Sequence, residues 1–144
     1  MTTRFPYLDD GAPPIARPIV AVRAFSGDRS ARFTALLDTG SPGTVLDAEV
    51  ARDLGIRLGR KGAEQARMRL LGETLPVQFE HVDLALIGSD ETWTARVGFV
   101  MSDRLRMPFS GLLGSAGFFD RYVVTFAEYH GWVGVEHAAN VPPV

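Results

Sequence analysis

The residues best placed to do chemistry are Asp38-Thr39-Gly40-Ser41, which follow the apolar run Ala35-Leu36-Leu37. The run reads as a strand that carries an acid toward the interior, where a charge is costly unless it is paired or hydrogen-bonded. Gly40 permits a tight turn that brings backbone N–H groups toward the carboxylate, and Thr39 supplies a hydroxyl that can donate or accept. Downstream, Gly111-Leu112-Leu113-Gly114 is a short apolar piece between glycines, shaped to pack against that turn. Two readings of Asp38 follow: a strand-end acid satisfied by turn N–H groups, or an acid held in place for chemistry.

Other constellations are weaker. Counting from Asp38, Gly43 and Glu49 fall at positions six and twelve of a calcium loop. Gly40 and Pro42, however, stand at positions three and five, where side-chain oxygens are needed. Ser41 and Ser115 lie near glycines, but neither sits in Gly-x-Ser-x-Gly. His81, His130 and His137 lack metal spacing, and the glycine-rich stretch 111–117 has no lysine for a phosphate loop. Phe118, Phe119, Tyr122 and Phe126, with Trp93 and Trp132, read as packing or interface residues and not as a ligand box.

The elements that must position Asp38 are mostly strands. Strands are expected over 18–25 and 32–38, joined at the turn cluster Ser26-Gly27-Asp28-Arg29-Ser30. Asp47 is expected to cap a short helix over 48–54 that Gly55 stops. Strands follow at 66–71 and 74–87 about a bend at Gly72-Glu73, and at 92–101. A polar loop at 102–108 holds Arg104, Arg106 and Pro108. Ser115 is expected to cap a single helical turn over 116–121, and a last hairpin pairs 122–126 with 132–135. Residues 1–17 read as an irregular arm, 18–137 as one domain and 138–144 as an irregular tail. The sum is roughly seven to nine short strands with one or two short helices, an all-β barrel or sandwich.

Bulk properties narrow the classes. A chain of 144 residues is one domain and buries roughly 70% of the surface its unfolded form exposes. The net charge of −2 argues against nucleic acid as the main partner. The absence of cysteine excludes disulfides and thiolate catalysis. No apolar run approaches the ~20 residues of a membrane span. With no signal-like segment at the start, a cytoplasmic location is expected.

With these residues in view, the chain resembles the retropepsin-like aspartic proteases. The resemblance rests on Leu36-Leu37-Asp38-Thr39-Gly40-Ser41, on Asp53-Leu54-Gly55 closing the helix, and on Gly111-Leu112-Leu113-Gly114 about seventy residues after Asp38. Phe119-Asp120-Arg121-Tyr122 before a final strand fits the bacterial members, and the likeness spans residues 18–135. It implies a small closed barrel and an aspartic endopeptidase in which two carboxylates share one water and one proton. Because this chain has a single Asp-Thr-Gly, the resemblance also implies a homodimer, with Asp38 of each copy on the two-fold axis. Asp38, Thr39 and Gly40 would then be catalytic. Ser41, Leu71, Gly72, Glu73, Leu113 and Gly114 would meet an extended peptide, with the bend at Leu71-Gly72-Glu73 as the tip of a flap. No metal, nucleotide or other cofactor is implied.

The chain departs from the retroviral pattern in three places. Ser41 replaces the usual Ala, Ser115 stands where Arg often follows the apolar-apolar-Gly segment, and the tail ends in Pro142-Pro143, which pairs poorly in a sheet. The mode of dimerisation is therefore left open. The alternative function is a catalytically silent protein of the same fold that binds peptides or dimerises.

Overall fold

A computed structural model of the chain describes residues 2–9, 16–70, 72–102 and 109–144. In chain order the strands are β1 (Thr3–Pro6), β2 (Leu8–Asp9), β3 (Ala16–Arg17), β4 (Ile19–Ser26), β5 (Arg29–Leu37) and β6 (Val45–Leu46). Helix α1 (Ala48–Asp53) follows, then β7 (Gln65–Leu70), β8 (Glu73–Leu86), β9 (Thr92–Val100), β10 (Gly111–Leu113), β11 (Tyr122–Ala127) and β12 (Trp132–His137).

Period-two patterning drives the wall. In β5, Ala31, Phe33, Ala35 and Leu37 point inward, while the residues between them are half-buried or exposed. β4 pairs antiparallel with β5 through the expected hairpin, from Ser26↔Arg29 to Ile19↔Leu36. The neighbours run β4-β5-β10-β6-β9-β8, and β4 pairs back onto β8, so six strands close a ring with β7 hanging from β8. This is the small closed barrel that the resemblance implied. Closure leaves the ring without an edge, whereas the outlying strands keep theirs.

The main core fills the ring with Val20, Val22, Phe33, Leu46, Leu84, Val97, Phe99, Leu113 and Phe118, among others. A second apolar cluster gathers Ile19, Val45, Leu70, Leu75, Val77, Val100, Phe109 and Leu112. Helix α1 forms as expected: the Asp47 side chain accepts the Val50 N–H at 3.1 Å, and Val50 and Ala51 are buried.

Three expectations change. The N-terminal arm is not irregular where it is described, because β1 pairs antiparallel with β12, setting Phe5 opposite Val133. Phe5 and Val133 both join the core, and that burial outweighs the turn-like composition of the segment. Ala116 bridges Gly43 and 117–121 form turns, so the helix-type turn lies later than expected, at 118–122, where the Tyr122 N–H donates to the Phe118 carbonyl at 3.1 Å. Gly117 has φ +95°, which no right-handed turn of helix tolerates, and its N–H is taken by Asp120 Oδ1 at 3.2 Å. The tail opens with a 3₁₀ turn at Ala138–Asn140, where His137 Nδ1 accepts the Ala139 N–H at 3.1 Å. Most of the loop at 102–108, with Arg104, Arg106 and Pro108, lies outside the described residues.

Candidate active site

Asp38 stands one residue past the end of β5. Its N–H donates to the Leu113 carbonyl of β10 at 3.0 Å, the last rung between two parallel strands. Beyond that rung the chain turns. The Gly40 N–H donates to Asp38 Oδ1 at 2.9 Å, and the Ser41 N–H donates to the Asp38 carbonyl at 3.1 Å. The Thr-Gly turn therefore holds the carboxylate as its composition suggested. Asp38 is half-buried, however, and Thr39 and Gly40 are exposed. The acid is carried to the rim of the barrel and not into its interior, because the ladder ends at Leu37.

The loop rests on a second loop. β10 lies between β5, to which it is parallel, and β6, to which it is antiparallel. From β10 the chain passes beneath the Asp38 turn. The Ser115 N–H donates to the Ser41 carbonyl at 2.9 Å and the Ala116 N–H to that of Pro42 at 3.1 Å, and Gly43 bridges Ala116. Gly114 sits at the crossing. A Cβ there would stand 2.1 Å from the Gly43 carbonyl oxygen and 2.6 Å from that of Ser41, so only glycine fits. Thr44, 2% exposed, joins both loops: its hydroxyl donates to the Ala116 carbonyl at 3.0 Å and accepts the Gly114 N–H at 3.3 Å. Beneath them Trp93, Phe118 and Tyr122 stack at centroid distances of 5.1–5.6 Å, and Trp93 Nε1–H donates to the Gly117 carbonyl. Burial, with the Glu91 carboxylate nearby, pushes the Tyr122 phenol up to about 12, so it stays neutral at ordinary pH.

The expected site residues thus divide. Asp38, Thr39 and Gly40 come together at the rim. Ser41 is buried, its hydroxyl donating to the Gly43 carbonyl at 2.7 Å. Leu113 and Gly114, expected to touch substrate, are buried within the protein itself: Leu113 fills the main core and Gly114 the loop crossing. Both lie under the Asp38 loop. Leu71 lies outside the described residues. Gly72 and Glu73 are exposed at the tip of the β7–β8 hairpin, with Leu70 paired to Glu73. No hydrogen bond among the described residues joins either to the Asp38 loop.

The hairpin nevertheless reaches the site through apolar side chains. Met68 Cε would stand 3.6 Å from a Cβ built on Gly43, and Leu70 packs in the same cluster as Val45 and Leu112. Leu36, two residues before Asp38 and paired with Leu112, lies against that cluster. Thr44, Met68 and Leu70 were missed in the sequence. A hydroxyl that bonds residues about seventy positions away has no local signature, but Met68 and Leu70, alternating with Arg67 and Arg69, are a period-two signal that could have been read. Among the described residues, no group of three or more His, Asp or Glu stands together to hold a metal ion. No helix of the described residues is long and apolar enough to cross a membrane.

Comparison with known proteins agrees with this geometry. A family model described as aspartyl protease matches residues 22–116, about two-thirds of the chain and including both the Asp38 turn and Gly114. No curated protein matches. Among solved structures, a retropepsin-like aspartic protease from Rickettsia conorii superposes with a TM-score of 0.62 at 15% identity, covering 93% of this chain and 98% of that one. At that identity the likeness speaks for the fold.

Proposed function

We propose, from the premise that the chain belongs to the aspartyl protease family, that it is a homodimeric endopeptidase in which two Asp38 carboxylates activate one water. The observation that carries the reading is the presentation of Asp38: a half-exposed carboxylate at the barrel rim, aimed by the Gly40 N–H and seated on a glycine-locked double loop. One such carboxylate is half a site. Two brought close cannot both ionise, so one takes the proton and serves as acid toward the scissile amide while the other serves as base toward water. The half-burial of Asp38 in one copy suits this division, since a second copy would complete its desolvation.

The substrate is an extended peptide, bound by strand-like backbone hydrogen bonds beneath the β7–β8 hairpins. Gly72 and Glu73 at the hairpin tip close over it and exclude bulk water. Ser41, Leu113 and Gly114 act by setting the height and angle of the Asp38 turn.

The test is Asp38→Asn. It should lower cleavage of a diverse peptide library by on the order of 10³-fold or more, with fold and dimer retained in sedimentation. Cleavage by the purified variant at the wild-type rate would rule the mechanism out. A wild-type dimer that cleaves no peptide across the acid and neutral range would favour the silent binding module instead.

A further inference from the structure

Several exposed arginines of this chain are held by a partner. Arg60 pairs with the Glu80 carboxylate at 2.9 Å and Arg96 with that of Glu64. Arg4 lies 4.2 Å over the Trp132 ring, and Arg67 donates to the Thr74 carbonyl at 3.4 Å. Arg23 and Arg32 differ. They stand directly opposite each other on the outer wall of the barrel, Arg23 on β4 and Arg32 on β5, and both are exposed. Like charges so placed, with Cβ atoms about 5 Å apart, repel. No ion pair or hydrogen bond among the described residues engages either side chain. Their neighbours on the same face are uncharged: Ala21 and Thr34 toward the rim, Phe25 and Ser30 toward the hairpin turn, and Ala85 on β8. The acid on that adjoining strand, Asp83, lies opposite Phe25, on the diagonal from Arg23, and accepts the Thr94 hydroxyl at 2.5 Å.

An uncompensated pair of this kind destabilises the free chain, and the repulsion is relieved when an anion lies between the two guanidinium groups, which fork carboxylates bidentately. We infer that the Arg23–Arg32 pair is a docking site, outside the cleft, for an acidic segment of the protein that this chain cleaves, one rich in Asp or Glu. The inference rests on the protease reading above and adds a substrate class to it. Two arginines on an uncharged wall, in a chain of net charge −2, are too few to hold a nucleic-acid backbone but suit a short run of carboxylates.

The place of the pair sets the spacing. Arg32 precedes Asp38 by six residues on one extended run, roughly 20 Å at the rise of a strand. A substrate in extended form covers that span in about six residues. The acidic segment therefore stands about six or more residues from the scissile bond. β4 is paired with β5 and, at Val22–Phe25, with β8, so this wall offers side chains and not an open edge. Binding there is by charge and weakens with salt.

The test uses the full chain and two probes. A dye-labelled hexaglutamate peptide should bind the wild type at low salt. Arg23→Gln/Arg32→Gln should weaken that binding by about tenfold, as for the loss of two exposed ion pairs, and Arg23→Glu/Arg32→Glu should abolish it. Peptides cleaved by the wild type are then extended with three Glu, about six to eight residues to either side of the cleaved bond. They should show a KM several-fold below that of their Gln counterparts, with kcat alike. Arg23→Gln/Arg32→Gln should erase that difference and cleave the Gln peptides at the wild-type rate. It should melt no lower than the wild type, because a repulsion has been removed. Failure of the wild type to bind hexaglutamate, binding kept by both variants, or cleavage with no preference for Glu over Gln would overturn the site and leave the protease reading intact. Hexaglutamate binding that depends on the two arginines, in a wild type that cleaves no peptide, would leave the acidic-segment site standing and overturn the protease reading.

Discussion

Two regions meet beside Asp38, and they are built differently. The floor, made by the turns at 38–44 and 114–117, is held by backbone: Ser115 and Ala116 bond to Ser41 and Pro42, and Gly114 lies so close to two carbonyls that a Cβ would not fit. The β7–β8 hairpin, the cover in the proposed reading, touches the same place through the Met68 and Leu70 side chains, and Gly72 and Glu73 at its end are exposed. Backbone contacts at close approach have one geometry and little slack, whereas apolar side-chain contacts can slide. The proposed endopeptidase, which would both aim a carboxylate and admit a chain, needs both.

The hardest way to break this contrast is Gly114→Ala. The added methyl would meet carbonyl oxygens at 2.1 and 2.6 Å, and neither can move without opening the floor. The expected loss is about 3 kcal/mol or more, in the range of severe overpacking. Denaturant melts would show it, and a midpoint unchanged from wild type would mean that the floor is as adaptable as the cover.

Thr44→Val probes the same floor more gently. It keeps the shape, removes the hydroxyl, and leaves the Ala116 carbonyl and the Gly114 N–H without that partner. The cost should be about 1–3 kcal/mol, the penalty of unpaired buried groups. If the floor aims Asp38, kcat should fall while KM holds. A loss of stability with kcat unchanged would limit Thr44 to a structural part.

The same contrast explains what could be read from the residues. The longer barrel strands were legible because they alternate inward and outward within their own few residues, as β5 does from Ala31 to Leu37, whereas β6 and β10, buried throughout, read only as short apolar pieces. The Asp38 turn was legible because Thr-Gly acts locally. β1 was not, since Thr-Arg-Phe-Pro has little strand character and its partner lies near the far end of the chain. Nor was the half-exposure of Asp38. Three apolar residues before it suggested burial, but where a ladder ends depends on Leu113, a residue remote in the chain. The turn expected over 116–121 is shortened because Gly117, within it, takes a left-handed backbone that a right-handed helix cannot include.

The mildest probe acts on the cover. Gly72 has φ +81° with nothing near a Cβ, so Gly72→Ala adds no clash, only left-handed backbone strain. That strain is about 1 kcal/mol, and for a chain of this size it lowers the melting midpoint by roughly 2–4 °C. Because the tip is exposed and the barrel does not depend on it, the floor should be untouched and Asp38 still aimed. What should change is admission of the chain: a stiffer tip should raise KM for a long peptide several-fold while kcat moves less. An unchanged KM alongside the lowered midpoint would mean that the hairpin tip is only a turn, and that the cover ends at Met68 and Leu70.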